Sequence, residues 1–196
     1  MEIARQDTLK HIKALTEFHG APGFEQDLKA YIKEQMAPYA DTFIYNHMGG
    51  FYAVKKSKKE NAKKVMVAAH MDEVGFMITD ITKNGMLHFT NLGGVAADIW
   101  QGQRLKVKSR KNEIITGVVA SIPKHFRTGN EGQPQIKDLM LDIGSDSADE
   151  VRARGIEIGD SIVPDTEFIQ LSEHRFAGKA WDNRYGLSLI HISEPT

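Results

Sequence analysis

Leu9, Ile12, Leu15 and Phe18 recur at helical spacing in an otherwise polar stretch, which predicts a helix stopping near Gly20. "APGF" (Ala21 to Phe24) reads as a turn. "EQDLKAYIKEQM" (Glu25 to Met36) predicts a second helix with Leu28, Tyr31, Ile32 and Met36 on one face. From Asp41 the pattern changes. "DTFIYNHMGGFYAVKK" predicts two strands joined through Gly49 and Gly50, and "KKVMVAAH" (Lys63 to His70) is a continuous apolar run of the kind buried on both faces of a sheet. Helix, helix, hairpin and buried strand together predict an α/β layer.

After Gly75 the rhythm shortens. "GFMITDI", "MLHFTNL", "RLKVKSR", "EIITGVVASI" and "IKDLMLDI" are strand candidates separated by turn signals such as "KNG" and "RKN", the pattern of a small β-barrel or sandwich. "RTGNEGQPQ" (Arg127 to Gln135) is expected to be a polar, mobile loop. "SADEVRARG" predicts a short helix with Ser147 as its cap and Gly155 as its stop, and "EIGDSIVPD" a turn and a strand. The stretch "AGKAWDNRYG" predicts a strand, a charged turn and the start of a helix.

Composition narrows the chemistry. The chain has 196 residues, 41% hydrophobic and 26% charged, the balance of a globular protein. Its net charge of -1 gives no electrostatic case for nucleic acid. The basic run Lys55 to Lys64 is expected to be a solvated hairpin end. There is no cysteine, so a metal site must be built from His, Asp and Glu. No stretch has the signal-peptide pattern or the ~20 apolar residues of a membrane span, so a cytoplasmic location without membrane attachment is expected. G-x-S-x-G, Walker A and G-x-G-x-x-G patterns in the right context are missing, which disfavours serine-hydrolase and nucleotide chemistry.

The apolar run ends in "AAHMDEVGF". In a strand, residues i and i+2 share a face, so His70 and Asp72 are expected side by side at a strand's carboxyl end. A metal-ligating His commonly gives its second ring nitrogen to a carboxylate, and His-x-Asp can supply both groups. The same spacing also describes a core His held by its neighbour. "AWDNRYG" leaves a similar choice: Asp182 is either the cap of a turn or a second carboxylate ligand brought beside His70 by the fold.

Taken together, "AAHMDEVGFMI" and "KAWDNRYG", separated by a β-rich segment, resemble the M42 family of metallo-aminopeptidases, the tetrahedral aminopeptidases that include bacterial glutamyl aminopeptidases. "TEFHGAPGFE", "GGFYAVK", "GVVASIPKH" and "GIEIGDSIVPD" fit as well, so the resemblance runs from about Thr8 to Gly186. It implies an α/β zinc-peptidase-like sandwich, here incomplete, made by residues 1–70 and 165–196. Residues 71–164 are the implied inserted β-barrel, which makes subunit contacts in a homo-oligomer of dimers assembled into a larger particle. It further implies two divalent metal ions, zinc or cobalt, about 3.5–4 Å apart and sharing a water. His70 is the implied ligand of one ion, Asp182 the bridge between both, and Asp72 the residue that orients His70. A cis peptide bond is implied between Asp182 and Asn183. The implied reaction is removal of N-terminal residues, acidic ones by preference, from peptides.

In the family a Glu pair, an Asp and a His complete the site further along the chain. His174 and His191 do not sit in the matching motifs. This chain is therefore expected to be truncated, to hold half a site, and to be inactive alone. Its tail "LIHISEPT" departs from the apolar helix expected there and resembles translated adaptor read-through. A non-catalytic β-barrel interaction module is the expectation of a different class, and a glucan hydrolase a third. Among other residues, His125 is expected at the surface and His88 partly exposed in the barrel, while Trp100 and Phe126 serve either the core or an oligomer contact.

Overall fold

The computed structural model describes residues 2–120 and 134–192. The chain divides into two compact units, Met1–Asp72 with Phe168–Thr196, and Glu73–Glu167.

In the first unit, α1 (Glu2–Glu17) and α2 (Gln26–Met36) occupy the two predicted helical stretches, joined through the "APGF" turn, where Phe24 N–H donates to the Ala21 carbonyl at 2.8 Å. Leu15, Leu28 and Ile32 bury their side chains with Leu187 of α4 (Trp181–Ile192), and Phe18, Tyr31 and Met36 pack around them. The hairpin of β1 (Thr42–Tyr45) and β2 (Phe51–Val54) pairs Tyr45 with Phe51. Its turn is organised by Asn46, whose side-chain oxygen accepts from the N–H groups of Met48 and Gly50. A second hairpin, β9 (Ile169–Ser172) with β10 (Arg175–Ala177), leads into α4.

The open end of the first hairpin is tied by Asp41. Its carboxylate accepts the Lys56 N–H at 2.6 Å and lies 3.6 Å from the Lys55 ammonium. The backbone hydrogen bond, helped by the neighbouring lysines, holds its pKa below the ordinary Asp value. A depressed carboxylate pKa adds stability above the unfolded-state value of about 3.9, and that stability is lost as pH falls through the folded-state value. A carboxyl-carbon NMR titration is therefore expected to place the Asp41 midpoint below that of an ordinary aspartate, with the Lys56 amide signal moving in step. A midpoint at the ordinary value would show that this tie is not formed.

One expectation fails here. Residues 62–74 belong to no strand, and Val65, Met66 and Val67 are 85%, 75% and 62% exposed instead of buried. No described strand lies beside the run to complete its hydrogen-bond ladder or cover its faces. The apolar character of a central strand is present, but its neighbours are not among the described residues. The basic run before it is exposed, as expected.

The second unit is a closed barrel of six strands in the order β3-β4-β7-β6-β5-β8. These are β3 (Gly75–Ile81), β4 (Leu87–Leu92), β5 (Arg104–Lys108), β6 (Ile114–Val119), β7 (Met140–Asp142) and β8 (Ser161–Pro164). Alternation explains the closure. Along β6, Ile115, Gly117 and Val119 point inward while Ile114, Thr116 and Val118 stay exposed. Gly117 must be small, because a Cβ there would stand 2.6 Å from the Asp142 carbonyl of the paired strand. A register shift between Ile78 and Asp80 returns Ile81 to the interior. Phe76, Phe89 and Trp100 fill the barrel edge-on, with Phe76 4.9 Å from Phe89 and 5.1 Å from Trp100. Trp100 thus packs against the barrel core, and His88 is partly exposed. The helix α3 (Ala148–Ala153) is capped by Ser147, whose hydroxyl accepts from Glu150 N–H at 3.2 Å, and Gly155 follows it at φ 79°. Ser121 to Gln133, including His125, Phe126 and most of the predicted polar loop, lie outside the described residues. Among the described residues no helix is long and apolar enough to cross a membrane.

Candidate metal centre

Two segments of the first unit meet at the site. The first is the run without regular secondary structure that ends in His70, Met71 and Asp72. The second is the start of α4, where Asp182 and Asn183 depart from helical geometry (ψ 105° and 33°) and are joined by a cis peptide bond. Ala180, just before them, adopts a left-handed backbone (φ 55°) that non-glycine residues seldom take. Gly186 lets the two segments approach, since a Cβ there would lie 3.0 Å from that of Ala69 and run into the Asn183 side chain.

These segments bring three sequence-predicted residues together. His70 Nδ1 lies 3.2 Å from Asp72 Oδ1 and also from the Asp72 carbonyl oxygen. His70 Nε2 lies 3.2 Å from Asp182 Oδ1, although the two residues are 112 apart in sequence. The groups are not buried: the His70 and Asp182 side chains are 50% and 95% exposed. His70 and Asp72 are therefore not crowded into a dry interior. Glu73, which follows them and belongs to the barrel unit, is buried. An open groove of about 1130 Å³ runs along residues 61–72, between α2 and β2, and reaches His70 and Asp72 at one end.

The donor chemistry fits a divalent cation in kind. Nδ1 faces two oxygens of Asp72; in the tautomer that carries its N–H there, the lone pair is left on Nε2, free for a cation. Nε2 then faces a carboxylate oxygen, lone pair against lone pair, and either a proton or a cation between them reconciles the pair. Two ligands at ~2.0–2.2 Å from one tetrahedral ion stand about 3.3–3.5 Å apart, close to the separation of Nε2 and Oδ1. The donors fall short in number: among the described residues no group of three or more His, Asp or Glu side chains is placed to hold a metal ion.

Sequence reasoning overlooked Arg184. It stood as one charge of a polar turn, yet it is fully buried, with its Nε donating to the Met71 carbonyl at 3.1 Å. A hint was available in the apolar residues that flank the turn, Trp181 and Leu187.

The chain is thus an α/β unit with an inserted six-stranded barrel, in which a His-x-Asp run meets an Asp remote in sequence. The M42 glutamyl aminopeptidase family matches residues 49–192, and the chain belongs to that family. Among curated proteins it is 38% identical over 183 residues to the glutamyl aminopeptidase of Lactococcus lactis subsp. cremoris, covering 91% of this chain and 52% of that protein. It is 32% identical over 177 residues to the lysyl aminopeptidase of Pyrococcus furiosus, covering 88% and 50%. Among solved structures, an aminopeptidase from the archaeon Desulfurococcus kamchatkensis superposes with a TM-score of 0.89 at 31% identity, over 96% of this chain and 51% of that one. A Thermotoga maritima structure described as an endoglucanase gives 0.79 at 31% identity, over 92% and 52%. The Pyrococcus horikoshii TET1 peptidase, which assembles into a tetrahedron or a large octahedral shell, gives 0.81 at 25% identity, over 94% and 54%. The chain thus spans about half the length of the relatives it matches.

Proposed function

We propose that the protein containing this chain is a metal-dependent aminopeptidase. In it, His70 and Asp182 are metal ligands and Asp72 is the residue that orients His70. The observation that carries this reading is the convergence of His70 Nε2 on Asp182 Oδ1 from segments remote in sequence. Two divalent ions bound there, zinc or cobalt, would supply Lewis-acid polarisation of the scissile carbonyl and activation of water. Asp72 holds the imidazole by its Nδ1–H, which fixes the tautomer and keeps Nε2 directed at the site. Asp182, with its carboxylate almost entirely open to solvent, has an oxygen left beyond the one facing His70 and can bridge two cations.

A catalytic zinc ordinarily has three protein ligands and one open position. The described residues supply two donors, so we infer that this chain alone does not turn over peptides. The remaining donors would come from polypeptide corresponding to the other half of its relatives. The barrel, residues 71–164 in the sequence reading, is proposed to make subunit contacts in a homo-oligomer, an idea supported by the assembly of the P. horikoshii peptidase. Preference for acidic N-terminal residues is supported by the greater identity to the glutamyl than to the lysyl enzyme.

The test is hydrolysis of Glu-, Lys- and Leu-p-nitroanilide in cobalt(II) or zinc(II) buffer. The substrates are given to this chain and to a longer polypeptide that joins it to the C-terminal half of the L. lactis enzyme. Turnover by the longer protein, fastest on the Glu substrate and stopped by chelator, is the expected result. The endoglucanase description of one neighbour favours a second reading. Glycoside hydrolysis needs two carboxyl groups facing each other across a glycan, about 5–9.5 Å apart. Here both nearby carboxylates are turned to one imidazole. Reducing sugar released from a β-glucan without peptide turnover would establish it and remove the first.

A further inference from the structure

Among the described residues, Arg184 is the largest fully buried side chain. Removing a guanidinium from water is expensive unless its N–H groups all find acceptors. Among its acceptors are backbone carbonyls collected from two places. Nη1 donates to Leu15 O at 2.9 Å and Phe18 O at 2.7 Å, and Nη2 reaches Gly20 O at 3.5 Å. Leu15 lies in the last turn of α1, and Phe18 and Gly20 lie just beyond it, where a helix presents its negative pole. Nε turns the other way and donates to Met71 O, the carbonyl between His70 and Asp72. A second buried cation, Lys179, donates to Phe18 O at 2.7 Å. Lys179 and Arg184 bracket Asp182 in the sequence, three residues before it and two after.

We propose that Arg184, assisted by Lys179, is a positioning residue that sets Asp182 against His70. The guanidinium belongs to the segment that carries Asp182, grips the carbonyl next to His70, and rests both on the end of α1. The planar fork suits this task, because it aims donors in divergent fixed directions, which a lysine ammonium cannot do. Gly20 follows from the same arrangement: a Cβ at position 20 would run into Arg184 Nη2. Gly20 and Arg184 are thus two ends of one contact, and either can be altered alone.

The functional meaning of the proposal rests on the metal-centre reading, but its geometry can be tested without metal. In metal-free protein, the side-chain ¹⁵N shifts of His70 report the Nε2 contact with Asp182. Arg184→Lys and Gly20→Ala are each expected to shift the Nε2 resonance and to weaken cobalt(II) binding about 10- to 100-fold, the range found when a group supporting a metal ligand is lost. Ile12→Val, on the same helix but remote from the fork in sequence, serves as the stability control. It is expected to lower the melting temperature and leave both signals where they were. Unchanged His70 shifts and cobalt affinity in folded Arg184→Lys and Gly20→Ala would overturn the proposal, as would equal changes in Ile12→Val. If Arg184→Lys does not fold, Gly20→Ala decides, since it leaves the guanidinium in place. Shifted Nε2 resonances in a parent protein that binds no cobalt would uphold the positioning role and remove the metal-centre reading.

Discussion

Exchange of His70 for alanine is expected to weaken divalent-metal binding at least ~100-fold, since even the loss of a group that merely supports a ligand costs 10–100-fold. The fold should scarcely notice. The imidazole is half exposed and bonds to Asp72 and Asp182, so its removal leaves no cavity in a packed region. What disappears is the single nitrogen donor of the trio, leaving two carboxylates with nothing to hold them at a fixed separation. Asp72→Asn should have a smaller effect, because an amide can still turn its oxygen toward the Nδ1–H. Calorimetric titration and the visible absorption of bound cobalt(II) can measure both variants, in this chain or in any longer polypeptide that contains it. Wild-type affinity in His70→Ala would exclude the imidazole from the site.

Phe76→Ala is expected to destabilise the barrel unit by about 3–5 kcal/mol, the usual result of truncating a buried phenylalanine. Phe76 is 0% exposed and meets the rings of Phe89 and Trp100 at interplanar angles of 65° and 88°. Edge-to-face pairs add about 0.5–1.5 kcal/mol beyond simple burial, and the barrel wall is too constrained by its closed ladder to collapse into the space left behind. Trp100 lies in the barrel unit and Trp181 in the other, so urea denaturation followed by fluorescence of a Trp181→Phe background reports the barrel alone. A loss below ~1 kcal/mol would show that the site can repack and that the interior is less rigid than its alternation suggests.

What the sequence disclosed depended on how local the determining contacts are. The alternation of β6, the Ser147 cap and the Gly49–Gly50 turn are set by neighbours a few residues away, and each was readable. His70 and Asp72 do meet as their spacing suggested, although the strand on which that expectation stood is not formed. The approach of Asp182 stood as one of two readings that only the family resemblance chose between, because nothing in a stretch of seven residues says what lies 112 positions distant. Arg184 was missed for the same reason: its acceptors at Leu15, Phe18 and Gly20 are more than 160 residues earlier. The run from Lys63 to His70 misled differently. Its composition speaks of a central strand, but composition cannot supply the adjacent strands that would make it one.

That same run has a practical consequence. An exposed valine- and methionine-rich stretch, with hydrogen-bonding groups that pair with no described strand, is a template onto which a foreign strand can add. Lys63 and Lys64 stand directly before it, where like charges repel an approaching copy. Colloidal behaviour should therefore hinge on ionic strength: salt that screens those ammonium groups would let molecules stack edge to edge, and dilute buffer would keep them apart.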